Sequence, residues 1–215
     1  MNLPNMLTMS RFGMAFIIMA LITLTFPFSK TLALLVFALA GITDYLDGKI
    51  ARQRNLVTSF GQLMDPLTDK VMVCAAFVSF VEISCIHQGT FLGAGIKVGT
   101  LKVVPLVPAW IVIIIIAREF LVTGLRLLAM NKGRMISAGK WGKHKTVWQI
   151  VAVVILLIGL SLRHDFLIHF DPKVVRNFDF VFPYIAHAIS LAVAFVTLSS
   201  GYLYFVQHRD LVTRV

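Results

Sequence analysis

Acidic residues are scarce in this chain: 10 Asp and Glu stand against 20 Lys and Arg in 215 residues. Charged residues of both signs make up only 14%, while hydrophobic residues reach 58% and mean hydropathy is +0.86. That balance excludes an ordinary soluble domain, whose apolar share lies nearer half. The alternating apolar–polar pattern of a membrane barrel is missing as well. Two cysteines are too few for a disulfide framework. Cys74 and Cys85 fall in one expected helix, about 16 Å apart along its axis, beyond disulfide reach. There is no obvious repeat and no break in composition, so residues 1–215 read as a single polytopic membrane domain.

What the chain does have is a series of apolar runs of about 20 residues, each long enough to cross a bilayer as a helix. The expected fold is an all-α integral membrane protein with six transmembrane helices and a short N-terminal interfacial helix. The interfacial piece holds Pro4, Asn5, Thr8 and Arg11 and leads into span 1. Ala38-Leu39-Ala40 lies too deep in the chain for ordinary signal cleavage, so the N-terminal segment is expected to be retained. Span 2 starts near 31, span 3 covers 60–84, span 4 106–130, span 5 opens near 143 and ends near 162, and span 6 covers 182–206. Residues 87–105, with Gly89, Gly93, Gly95 and Gly99, read as a flexible connection, and 163–180 as a mixed, interfacial one.

Six spans put both termini on one side, and 14 of the 20 Lys and Arg fall on that side. The positive-inside rule then places the termini in the cytoplasm. The net charge of +10 is explained by this placement and by anionic headgroups and phosphorylated substrates; nucleic acid is not expected as a partner. Such a chain fits a bacterial cytoplasmic (inner) membrane.

Four of the ten acidic residues, Asp44, Asp47, Asp65 and Asp69, crowd into DYLDGKIARQRNLVTSFGQLMDPLTDK. Carboxylates beside a membrane are costly unless compensated. Asp44 and Asp47 are three residues apart, Asp65 and Asp69 four, so on helices each pair projects from one face. Two helices joined by a short loop can gather all four around one point, where they repel unless neutralised. Hard divalent cations do this, and Mg2+ or Mn2+ suits carboxylates together with phosphate oxygens. A two-metal site is the economical reading.

The stretch fits D-x-x-D-G-x-x-A-R-x8-G-x-x-x-D-x-x-x-D without a substitution and resembles the signature of the CDP-alcohol phosphatidyltransferases. Asn5, Thr8 and Arg11 are similar to that family's N-terminal pattern. Ala117-Arg118-Glu119, Gly124-Leu125-Arg126 and Gly142-Lys143-His144-Lys145-Thr146 resemble the branch that makes phosphatidylglycerophosphate. The resemblance implies a six-helix membrane fold, usually a homodimer surrounded by membrane lipids, with its site open to the cytoplasm. It implies transfer of the phosphatidyl group of CDP-diacylglycerol to glycerol 3-phosphate, with release of CMP. Asp44, Asp47, Asp65 and Asp69 would be the metal carboxylates and Asp69 also the general base. Asn5, Thr8, Asp47, Gly48, Ala51, Arg52 and Gly61 would surround the CDP headgroup. Arg52 also reads as a loop-facing charge that only sets topology.

Arg118 and Arg126 are about 80° apart around a helix, so both can face one groove. An anionic acceptor such as glycerol 3-phosphate explains an arginine inside an apolar span, with Lys140, Lys143 and Lys145 at the mouth of span 5. The competing reading makes Arg118 a structural partner of Glu119 or Glu82 and leaves the lysines to set topology. Within the family, inositol phosphate, serine or phosphatidylglycerol are alternative acceptors. Outside it, an Asp-rich membrane prenyltransferase and a divalent-cation transporter share the carboxylate pattern. The prenyltransferase lacks a reason for Gly48, Ala51 and Arg52, and the transporter needs carboxylates nearer the bilayer midplane.

Overall fold

The computed structural model describes residues 3–53, 59–87, 96–98, 101–131, 140–207 and 209; side chains are described for most of these. Six α-helices form the body: α1 (Leu3–Thr23), α2 (Ser29–Gln53), α3 (Ser59–Glu82), α4 (Ala109–Asn131), α5 (Lys140–Ser161) and α6 (Pro172–Gln207). Helix α1 packs on α2 and α3, α4 on α6 and α3, and α5 on α2 and α6. Ile18, Ile22, Phe77, Phe80, Leu106, Ile111, Ile115, Leu156 and Leu157 are fully enclosed where these helices meet. Among the described residues, two helices are long and apolar enough to cross a membrane, Lys145–Phe166 and Pro172–Gln207; Met9–Thr23 and Ser29–Thr43 are shorter apolar helices.

Three features differ from the sequence expectation. No separate interfacial helix precedes span 1, because α1 runs unbroken from Leu3 to Thr23. Pro4 sits in its first turn, where the missing N–H costs nothing, and no second breaker follows. The connection at 87–105 is not featureless. Ser84–His87 (β1), Ile96–Val98 (β2) and Leu101–Pro105 (β3) form a small antiparallel sheet in the order β1-β3-β2, with Cys85 opposite Val104 and Lys97 opposite Lys102. The β-branched residues Ile86, Ile96, Val98, Val103 and Val104 favour that pleated surface. The glycines that suggested flexibility lie between strands instead, at 89–95 and 99, outside the described residues. Finally, α6 begins at Pro172, ten residues before the apolar run. Asp171 caps it, accepting the Lys173 N–H on its carboxylate at 2.8 Å, and Pro172 occupies the first helical position.

The end of the bundle at the α1–α2 turn is tied by polar groups. Phe28 holds a left-handed backbone (φ 61°) in that tight turn. Lys30 reaches back to cap the C-terminus of α1, its ammonium donating to the carbonyls of Leu21 (3.3 Å), Ile22 and Leu24 (2.6 Å). At the α5 end, the chain widens into a π turn over Leu162–Phe166, and Asp165 within it is buried. Its carboxylate accepts from the Thr31 N–H (2.8 Å) and hydroxyl (2.6 Å), capping α2 from another helix. Arg163 forms a two-pronged pair with Asp179 of α6.

Candidate functional site

Helix α2 carries Asp44, Asp47, Gly48, Ala51 and Arg52 in its second half; α3 carries Gly61, Asp65 and Asp69 in its first half. Asn5 and Thr8 lie in the early turns of α1, and Lys140 and Lys143 open α5. The side chains of all these residues lie outside the described ones. The donor set itself, four carboxylates at one-turn spacing on two helices, is the oxygen-rich kind that hard divalent cations take.

The second half of the expected site is described in detail. Glu119 of α4 and Lys145 of α5 are both buried and form a direct ion pair. The same carboxylate oxygen, Oε1, lies 3.6 Å from Nη1 of Arg118, whose side chain is one-tenth exposed. Arg118 and Glu119 are neighbours on α4 and would diverge by about 100°. Arg118 instead leaves toward α6 and bends back. Its Cγ crosses Gly201, where an added Cβ would sit only 3.0 Å away. Arg126, two turns on, stacks over the Tyr204 ring at 5.8 Å from its centroid, the range of a cation–π contact. Arg126 lies within electrostatic range of Arg118.

Helix α3 joins from the other side. The Lys70 ammonium, next in sequence to Asp69, donates to the Thr123 hydroxyl at 2.5 Å. The Thr123 hydroxyl in turn donates to the Glu119 backbone carbonyl at 2.7 Å. Cys74, one turn beyond Lys70, is a free thiol within electrostatic reach of Glu119, Lys145 and Lys70. Among the described residues, Lys145 and Arg118 meet the Glu119 carboxylate, Arg126 lies within electrostatic range of Arg118, and Lys70 is linked through Thr123 to the backbone of Glu119. Positive charge gathered in a largely buried place favours an anion, and Arg118 Nε and Arg126 Nε are buried N–H groups with no hydrogen-bond partner among the described residues.

Of the residues expected to hold an acceptor phosphate, Arg118, Arg126 and Lys145 come together. The Arg118–Glu119 pair expected under the structural reading is also present, so the two readings describe one network. Glu82 is not Arg118's partner: it lines a cavity of about 600 Å3 together with Lys30, Arg163 and Asp179. The cations there are already engaged, Lys30 by helix carbonyls and Arg163 by Asp179. Sequence reading missed Lys70, Thr123, Gly201 and Tyr204. Lys70 carried a signal, since it follows Asp69 directly; Gly201 and Tyr204 carried none, sitting in an apolar run far along the chain.

A family model described as CDP-alcohol phosphatidyltransferase matches residues 1–198. The chain is 36% identical over 217 aligned residues to the CDP-diacylglycerol–glycerol-3-phosphate 3-phosphatidyltransferase of Bacillus subtilis (strain 168), covering 95% of this chain and 93% of that protein. A protein of the same name from Rickettsia bellii (strain RML369-C) is 33% identical over 205 residues, 95% of this chain and 93% of its own. Its namesake in Haemophilus influenzae (strain ATCC 51907 / DSM 11121 / KW20 / Rd) is 35% identical over 169 residues, 76% and 77% of the two chains.

Proposed function

The chain belongs to the CDP-alcohol phosphatidyltransferase family, and on that premise we propose that it transfers the phosphatidyl group of CDP-diacylglycerol to glycerol 3-phosphate, giving phosphatidylglycerophosphate and CMP. The observation that supports this choice of acceptor is the gathering of Arg118 and Lys145 on the single carboxylate of Glu119, with Arg126 stacked beside them on Tyr204. Serine brings no phosphate to that cluster; glycerol 3-phosphate brings a dianion. The names of the relatives support the same acceptor.

In this reading the acceptor phosphate rests on Arg118, Arg126 and Lys145, with Lys140 and Lys143 at the mouth of α5. Its hydroxyl points toward the phosphorus that bears the diacylglycerol. Asp69 takes the hydroxyl proton as the new P–O bond forms, and the P–O bond to CMP breaks on the opposite side. Asp44, Asp47, Asp65 and Asp69 would hold two Mg2+ or Mn2+ ions. When bound, these ions neutralise the pyrophosphate and the charge developing on departing CMP. Gly48, Ala51 and Gly61 leave the helix faces open to the nucleotide, Arg52 pairs with its phosphate, and Asn5 and Thr8 close its other side.

The six helices span a bacterial inner membrane, with the site and both termini in the cytoplasm and a second copy of the chain completing a homodimer. The distribution of side chains supports immersion in lipid. Leu39, Ile113, Phe120 and Phe195 point outward, whereas Ser79, Ser190, Thr197 and Ser200 are buried. A soluble monomer does not expose apolar surface on this scale.

The test is CMP release by purified protein with CDP-diacylglycerol and Mg2+, offering glycerol 3-phosphate, inositol phosphate, serine and phosphatidylglycerol separately. Release with glycerol 3-phosphate alone is expected, abolished by EDTA and lowered about 100-fold or more by Asp69→Asn, the usual scale for losing a general base. Release with a different acceptor only would keep the family chemistry and discard this acceptor. No release from folded protein would favour cation transport or prenyl transfer.

A further inference from the structure

Glu119 is a buried carboxylate in the middle of cations that are meant to hold a phosphate, and this calls for an explanation. A negative charge there opposes anion binding if it acts through charge alone. Its geometry shows a different task. One oxygen, Oε1, receives Lys145 from α5 and faces Arg118 from α4. The backbone carbonyl of the same residue accepts from Thr123, which in turn accepts from Lys70 of α3. Three helices therefore meet at one residue: the one that follows Asp69 with Lys70, the one that supplies both arginines, and the one that opens with the lysines.

We infer that Glu119 is a positioning residue for the acceptor: it holds the Lys145 ammonium and the Arg118 guanidinium at a fixed separation, so that a phosphate meets a preformed pair of donors. The inference rests on the phosphatidyl transfer to glycerol 3-phosphate proposed above. Glu119 touches no reacting atom in that scheme and acts only through Arg118 and Lys145. Without its carboxylate, Lys145 has a long flexible stem and no anchor, and each acceptor binding event must first order it. Preorganised donors are what a bidentate or clamped phosphate site depends on.

The experiment measures KM for glycerol 3-phosphate and for CDP-diacylglycerol, and kcat, in the wild type, Glu119→Gln, Glu119→Asp, Lys145→Gln and the Glu119→Gln/Lys145→Gln double variant. Glu119→Gln is expected to raise the acceptor KM about tenfold, the size of one lost charge-assisted contact, and to leave the CDP-diacylglycerol KM within about twofold. Glu119→Asp, which keeps the charge on a shorter stem, is expected to fall between. In the Lys145→Gln background the Glu119→Gln change should add less than it does alone, since the two act through one contact. The double variant also restores the local charge balance, so it reports on the coupling even if Glu119→Gln alone folds poorly. An acceptor KM that is unchanged or lowered in Glu119→Gln, or losses that simply add in the double variant, would overturn the inference while leaving the enzyme reading intact. A wild type that releases CMP without any dependence on glycerol 3-phosphate would overturn both.

Discussion

Gly201 gives Arg118 the space it needs to turn back toward Glu119. A Cβ at that position would stand 3.0 Å from Arg118 Cγ, tighter than ordinary van der Waals contact, and a β-branched side chain would intrude further. Tyr204, one turn on, lies beneath Arg126. Helix α6 thus carries no charge into the cluster but shapes where two charges sit. Gly201→Val is expected to displace the Arg118 head and raise the acceptor KM about tenfold, the cost of one hydrogen bond to a charged group. Its effect on the CDP-diacylglycerol KM should be small, because α6 packs chiefly on α4 and α5 and not on the aspartate helices α2 and α3. Steady-state kinetics with each substrate varied in turn would decide the matter; equal rises in both KM values would mean that the substitution disturbs the bundle as a whole.

At the level of elements, the π turn after α5 is the joint that closes the end of the bundle away from the aspartates. Asp165 accepts twice from Thr31 and also meets His164 Nδ1 at 2.8 Å, so one buried carboxylate caps α2. Asp165→Ala leaves the Thr31 N–H and hydroxyl without this acceptor and is expected to destabilise the fold by about 1–2 kcal/mol, the upper range for a lost cap. The thermal midpoint in detergent should fall, with kcat at low temperature unchanged; a midpoint equal to wild type would show that water replaces the carboxylate at no cost. This joint was not legible in the sequence, where 163–180 reads only as mixed polarity. The helices were legible because long apolar runs declare themselves, and Arg118 and Lys145 because charge is rare inside such runs. The sheet was hidden by its glycines, and the early start of α6 by reading apolarity ahead of the Asp171-Pro172 cap. Gly201 and Tyr204 were out of reach for a different reason: their role depends on α6 packing against α4, a contact between positions about 80 residues apart that no local pattern encodes.

Taken as a whole, the molecule is polarised from end to end. Lys30, Thr31, Asp165, Arg163 and Asp179 knit one end with bonds that leave their charges satisfied. Asp44 and Asp47 follow Lys30 on α2 by 14 and 17 residues, at least about 21 Å along a helix, so the ends for structure and for chemistry lie well apart. In sequence, Lys132, Arg134 and Lys140 follow α4 beyond Arg126, whereas the sheet joins α3 to α4 at the structural end. Positive charge of this kind stays in the cytoplasm during insertion, and a site that consumes a cytidine nucleotide must open there. Alkaline phosphatase, which is active only outside the cytoplasm, is therefore expected to be active when fused within 88–95 and inactive when fused within 132–139, with a fluorescent reporter that needs the cytoplasm giving the opposite pattern. The reverse result would put the aspartates on the side without nucleotide, and with them the proposed reaction would have no substrate to act on.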